Sequence, residues 1–212
     1  MNKLSICFTV KNRSKIANRE IFPQTIKSIV EHSSPGEPIE VVVSDWLSTD
    51  WPLVEWIYDY AKHVPIKVVN IDQCGFNRGI GLNLSAQNSS GNILFFNDAD
   101  ILVDRATLDL AFRCITDKIA FFPRVRKTTS YGHLIVREDK RWLRGFGVAI
   151  VLREWWERAG LYKSFWYTAD NWGGEDNQFH DDIKTLNIKI ERPKMDNLVH
   201  QWHPRKVIYE QL

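Results

Sequence analysis

The segment Gly-Asn-Ile-Leu-Phe-Phe-Asn-Asp-Ala-Asp-Ile-Leu-Val-Asp, from Gly91 to Asp104, ends an apolar run in Asp98 and Asp100 and then turns apolar again. On an extended backbone, side chains two apart point the same way. Two carboxylates held close repel each other, and a divalent cation offsets that repulsion. Hard, oxygen-rich, partly open sites suit Mg2+ or Mn2+, which then bridge to phosphate oxygens. The plainer reading has Asp98 capping a turn and Asp100 in solvent, and the spacing alone does not choose.

Two other segments carry chemistry. Trp172-Gly173-Gly174-Glu175-Asp176 sets adjacent carboxylates at the start of an expected helix, behind glycines that permit close backbone approach. Acids at a helix N-terminus are also ordinary caps and dipole complements. Val199-His200-Gln201-Trp202-His203-Pro204 brings imidazoles near the end of the chain. They are either surface residues or the completion of a metal shell.

These groups need a frame. Residues 4–10, 39–44, 65–71 and 93–97 are apolar, β-branched runs and read as buried strands. Residues 21–32, 51–62 and 77–88 have helical spacing, the first closed by Ser33-Ser34-Pro35-Gly36. Alternating strands and helices predict βαβ units on a parallel sheet with helices on both faces. Ligands of such a sheet sit outside the carboxyl ends of its strands, where Asp98 and Asp100 fall. Farther on, helices are expected at 105–115, 154–159 and 175–185, strands at 119–122 and 146–152, and a polar hairpin or loop over 124–144. No repeat or linker divides the chain, which reads as a single domain over residues 1–212.

Composition narrows the function classes. Hydrophobic residues make up 44% and charged residues 25% of the 212, as in a soluble globular domain. The net charge of +2 lacks the basic excess of a nucleic-acid binder. Cys7, Cys74 and Cys114 form no CxxC pair, which argues against a disulfide framework or thiolate metal site and suits a reducing, cytoplasmic setting. The apolar stretch of MNKLSICFTV is too short for a signal peptide, and nowhere do about 18 apolar residues run together as a membrane span needs. Nine tryptophans exceed what a core needs; ordinary packing accounts for about half, and the rest suit a sugar pocket.

Taken in order, Phe76-Asn77-Arg78-Gly79, Phe95-Phe96-Asn97-Asp98-Ala99-Asp100, Phe146-Gly147-Val148, Trp172-Gly173-Gly174-Glu175-Asp176 and His200 resemble the motifs of GT-A glycosyltransferases, most of all the β-1,4-galactosyltransferase type. The resemblance spans nearly the whole chain and implies the GT-A, Rossmann-like fold: an α/β domain with a mixed, mainly parallel central sheet. It also implies residue roles. Thr9, Lys11, Asn12 and Arg13 would hold uridine, and Asp45 would meet the uracil edge. Asn77 and Arg78 would lie near the donor phosphates and Asp98 near the ribose. Ala99, Gly147, Trp172 and Gly174 would complete the nucleotide-sugar site. Asp100 would ligate Mn2+ (or Mg2+) with a late histidine, which His200 matches better than His203. Asp176 would be the catalytic base and Glu175 would position the acceptor.

The implied reaction moves a hexose or deoxyhexose from a UDP-sugar to a hydroxyl of a glycan acceptor. Glu175-Asp176, rather than Glu-Asn, favours inversion. Asp170-Asn171 replaces the family's Trp-Gly, so the donor stays open among UDP-glucose, UDP-galactose and UDP-rhamnose types. Two rivals stand beside this reading. A nucleotidyltransferase would share the sheet and the carboxylates but would carry a Gly-rich phosphate loop where this chain has Lys11-Asn12-Arg13-Ser14. A non-catalytic carbohydrate-binding module would suit the tryptophans but has no need of Asp98, Asp100 and His200 together.

Overall fold

The computed structural model describes residues 2–73, 75–136, 141–142, 145–163 and 174–204. Asp170, Asn171, Trp172 and Gly173 lie outside the described residues. In chain order the elements are β1 (Leu4–Val10), β2 (Lys15–Ile16), β3 (Arg19–Glu20), α1 (Phe22–His32), β4 (Ile39–Asp45), β5 (Ile66–Asn70), α2 (Arg78–Gln87), β6 (Ile93–Phe96) and β7 (Ile101–Leu102). There follow α3 (Arg105–Asp117), β8 (Ile119–Phe121), β9 (Arg124–Lys127), β10 (Ala149–Leu152), α4 (Arg153–Arg158), α5 (Glu175–Thr185), β11 (Lys189–Glu191) and β12 (Lys194–His200).

The central sheet has seven strands in the order β11-β8-β10-β6-β1-β4-β5. β1 runs parallel to β4 and β6, β4 to β5, and β11 to β8, while β10 is antiparallel to both of its neighbours. This is the mixed, mainly parallel sheet expected. Every residue of β1 and β6 is buried, which is why these strands read as continuous apolar runs. Helix starts follow local chemistry: Asn77 Oδ1 accepts from Ile80 N at 3.0 Å to cap α2, and Asp104 Oδ1 accepts from Thr107 N at 2.9 Å to cap α3. Among the described residues no helix is long and apolar enough to cross a membrane.

Register sets up the site. Val10 lies opposite Asp45 and Cys7 opposite Phe96, so the segments after β1, β4 and β6 leave the sheet along one edge. α2 packs on β1 and β4 so closely that a Cβ on Gly81 would overlap Thr9 Oγ1 and come within 3.0 Å of Trp46 Nε1. A second, three-stranded sheet, β7-β12-β9, brings the end of the chain back to that edge. In it His200 of β12 pairs with Ile101 of β7, the residue after Asp100.

Three expectations are corrected. Residues 51–62 do not form a helix but two short 3-10 turns, Leu53–Glu55 and Ile57–Asp59. Trp56, at φ −142°, interrupts them, and burial of Leu53, Trp56 and Ile57 sets their direction. The 124–144 region has the expected hairpin, with Thr128 and Leu134 in an antiparallel bridge, but it opens with β9, which pairs in parallel with β12, and β10 starts at Ala149 rather than 146. About half of the nine tryptophans, Trp46, Trp56, Trp142, Trp155 and Trp156, are buried, as ordinary packing leads one to expect.

Glu40 ties the sheet's lower edge together. It accepts from Lys3 Nζ at 2.7 Å, Ser5 Oγ at 2.7 Å and Ser90 N at 2.6 Å. Burial alone would raise its pKa, but the Lys3, Ser5 and Ser90 donors outweigh that and hold it at about 2. A depressed carboxylate pKa stabilises the fold above the free-carboxyl range, and the gain is lost as pH falls through the folded value. Allowing for solvent screening at Lys3, the gain is about 2 kcal/mol. Glu40→Gln should therefore be destabilised at pH 7, and denaturant titrations should show the gap to the native protein closing between about pH 4.5 and 2.

Candidate active site

The chain does not stay extended through the two aspartates. β6 ends at Phe96, and Ile101 N donates to Asp98 O at 3.2 Å, closing a turn over residues 98–101. Asn97 Nδ2 donates to Ile101 O at 3.1 Å and braces it. The two side chains therefore part, which corrects the expectation from spacing that both point one way.

Asp98 turns to Arg78, the first residue of α2. Arg78 Nε donates to Asp98 Oδ1 at 2.9 Å, Nη2 to the same oxygen at 2.8 Å and to Gly147 O at 2.6 Å, and Nη1 to Glu175 Oε1 at 3.4 Å. Burial disfavours the guanidinium's charge, but Asp98, Glu175 and Asp176 outweigh it and raise its pKa. Burial pushes the Asp98 pKa up, Arg78 opposes that, and Asp100 and Asp176 add to it. A Cβ on Gly147 would lie 2.8 Å from Asp98 Oδ2, so the glycine is what admits this packing.

Asp100 turns to the end of β12. Its Oδ2 lies 2.8 Å from His203 Nε2 and 3.7 Å from His200 Nε2. One donor atom from each of the three residues falls within 4.8 Å of the others. Gln201 N donates to Asp100 O at 2.8 Å, and Thr128 Oγ1 donates to His200 O at 2.9 Å, fixing the backbones. Burial would raise the Asp100 pKa; His203, His200 and Arg13 outweigh it and push it well below the usual carboxylate range. His203 Nδ1 lies 3.3 Å from Pro204 O. An oxygen and nitrogen donor set of this kind fits Mn2+ and fits Mg2+ less well. The described cluster takes in both histidines and leaves out Asp98.

Beside the turn, Thr9 Oγ1 accepts from Trp46 Nε1 at 2.9 Å. Asn12, at φ +53°, donates its N–H to Ser48 Oγ at 2.9 Å and accepts from Thr49 N at 2.7 Å, joining the segments after β1 and β4. Buried Asp45 accepts from Ser48 N at 3.1 Å and Oγ at 2.6 Å; its burial raises its pKa against those hydrogen bonds. Lys11 and Arg13 are half-buried, and Arg13 Nη1 makes no hydrogen bond among the described residues. Asn77 is buried as the α2 cap, and Ala99 O accepts from Thr25 Oγ1 at 2.8 Å. Reasoning from sequence missed Ser48, though its place three residues after Asp45 is a spacing at which a capping Asp meets a backbone N–H. It also missed Thr128 and Gln201, which carry no local signal.

Glu175 and Asp176 open α5, with Gly174 before them. Glu175 is only 4% exposed and faces Arg78. Asp176 is half-buried, with Oδ2 accepting from Phe146 N at 3.2 Å and Oδ1 from Asn177 N at 2.8 Å. The edge thus gathers an aspartate–histidine group that could hold a cation, a buried acid at the end of β4, and a carboxylate at a helix N-terminus.

Removing Arg78 would strand Asp98 and Glu175. Breaking a buried pair costs about 3–5 kcal/mol, and the 36% exposure of the Asp98 side chain puts this case near the low end. Arg78→Met should lower Tm by roughly 6–12 °C at 2–4 °C per kcal/mol. Adding Asp98→Asn should recover part of the loss; a double variant less stable than Arg78→Met alone would contradict the pairing.

Comparison with known proteins places this geometry. No curated protein matches the chain by sequence. Among solved structures, the mannosyltransferase PcManGT from Pyrobaculum calidifontis, in complex with GDP-Man and Mn2+, is similar with TM-score 0.70 at 22% identity, over 97% of this chain and 58% of that one. S. aureus TarS 1-349 in complex with UDP-GlcNAc is similar with TM-score 0.70 at 16% identity, over 96% of this chain and 59% of that one. At such identities the likeness shows a shared GT-A fold, and this chain spans about 58–59% of those chains' lengths. A sequence profile of the family described as Glycosyl transferase family 2 matches residues 5–168, most of the chain. The chain belongs to glycosyl transferase family 2.

Proposed function

We propose that this chain carries a metal-dependent, inverting glycosyltransferase domain, spanning residues 1–212, that moves a hexose or deoxyhexose from a UDP-sugar to a hydroxyl of a glycan acceptor. The observation that carries the reading is the Asp100–His200–His203 cluster on the sheet edge that also holds Asp45 and Asp176. PcManGT with GDP-Man and Mn2+, and TarS with UDP-GlcNAc, support a nucleotide-sugar donor and a divalent cation. The β-1,4-galactosyltransferase-type motifs support the residue roles.

Asp100, His200 and His203 would hold Mn2+, which when bound offsets charge on the donor diphosphate. Asp45 accepts the uracil imide N–H, a donor that cytosine lacks. Thr9, Lys11, Asn12 and Arg13, on the segment beside it, would hold the uridine. Arg78 acts from behind, holding Asp98 toward the ribose and Glu175 toward the acceptor. Asp176 takes the proton of the acceptor hydroxyl as its oxygen bonds to the anomeric carbon. The bond from that carbon to the phosphate oxygen breaks, its electron pair leaves with UDP, and attack from the opposite face inverts the centre.

Calorimetry of UDP, CDP and GDP with and without Mn2+ tests the donor side. UDP should bind tightest and only weakly without metal, and Asp100→Ala should abolish the metal dependence. Equal, metal-independent affinity for all three would overturn the assignment.

A panel of UDP-glucose, UDP-galactose, UDP-rhamnose and GDP-mannose, read by release of the nucleoside diphosphate, tests the catalytic side. Asp176→Asn keeps size but cannot take the proton, so it should keep donor affinity and near-normal Tm while turnover falls about 10² to 10⁴-fold. Turnover near the native rate would shift the base to Glu175.

A further inference from the structure

The Gly145–Phe146 peptide unit lies between two charged side chains. Its N–H donates to Asp176 Oδ2 at 3.2 Å. Its C=O accepts from Arg192 Nη2 at 2.7 Å. In a trans peptide these groups point opposite ways, so Arg192 and Asp176 address one amide from its two ends. A cation at the carbonyl polarises the amide and makes its N–H a better donor. The neighbouring ring is held as well. The Arg192 guanidinium carbon lies 4.0 Å from the Phe146 ring centroid, and His180 stacks on that ring at 4.0 Å and 25°. Phe122 meets both rings edge-on, and its carbonyl accepts from Arg192 Nε at 3.4 Å. His180 belongs to α5, the helix that Asp176 opens, so the stack also joins the loop before β10 to that helix.

We infer that Arg192, with His180, is a positioning residue: it clamps the Gly145–Phe146 peptide so that one oxygen of Asp176 is pinned and the carboxylate presents a fixed lone pair to the acceptor hydroxyl. This rests on Asp176 being the base. Arg192 stands between β11 and β12, outside every motif that marks the family resemblance. Burial and the nearby Arg124 lower its pKa, so the site keeps this cation against opposing forces.

A double-mutant cycle on the sugar nucleotide turned over fastest in the nucleoside-diphosphate-release panel tests it. Arg192→Met keeps an apolar stem on Phe146 but loses the fork and the charge; kcat should fall about 10-fold or more, with donor affinity by calorimetry changed less than about two-fold. Arg192→Lys should recover part of kcat. In an Asp176→Asn background, Arg192→Met should cause no further loss, because there is no base left to orient. An equal loss in both backgrounds would overturn the proposal, as would a fall in Tm with kcat unchanged. If Arg192→Met fails to fold, the same cycle with Arg192→Lys decides by the same criterion. Native-rate turnover by Asp176→Asn alone would remove the base reading and this proposal with it, a result distinct from additivity.

Discussion

Two carboxylates at the end of one buried strand cannot both remain charged without separate partners, and the edge of the sheet is arranged to supply them. Asp98 is matched by the Arg78 guanidinium, and Asp100 by the imidazoles of His200 and His203. The turn at residues 98–101 performs the separation, since it sends the side chains to different elements. Each partner then fixes a distant segment. Arg78 joins the start of α2 to Gly147 ahead of β10 and to Glu175 of α5. The β7–β12 pairing carries His200 to the Asp100 side. Loss of either partner would strand charge in a poorly solvated place, so electrostatics and topology constrain each other here.

That division also sets neighbouring acids in different surroundings. Glu175, though adjacent to Asp176, is buried against Arg78, while Asp176 stays half-open and takes hydrogen bonds from Phe146 N and Asn177 N. Neighbouring acids on one helix turn thus meet different environments, which is the usual way paired carboxylates acquire different roles. Buried Asp45, set by Ser48, makes a third environment on the same edge.

The strands were legible because burial on both faces leaves an apolar run that few other structures share. β1 and α5 match the expected bounds, and β4, β6, α1 and α2 match within a residue or so. The 51–62 segment misled because Trp, Val and Ile at near-helical spacing also satisfy 3-10 turns packed on a core. β12 was invisible: Lys194, Asp196 and Asn197 are exposed, so no apolar alternation marks it, and its pairing with β7 and β9 is wholly non-local. The ordered motifs brought Asp45, Asp100, Asp176 and the late histidines to notice. The residues that hold them are less legible: Ser48 has only its short spacing from Asp45, and Thr128, Gln201 and Arg192 act through tertiary contacts with no spacing of their own.

The Asp100–His200–His203 cluster is the point on which the functional reading turns, and pulsed electron paramagnetic resonance of Mn2+ with the protein and UDP tests it most directly. Imidazole nitrogen couplings and diphosphate phosphorus couplings should appear on the same ion. The nitrogen couplings should vanish when His200 and His203 are both replaced by alanine. Manganese that shows phosphorus couplings alone, with a spectrum indifferent to those replacements, would contradict the site.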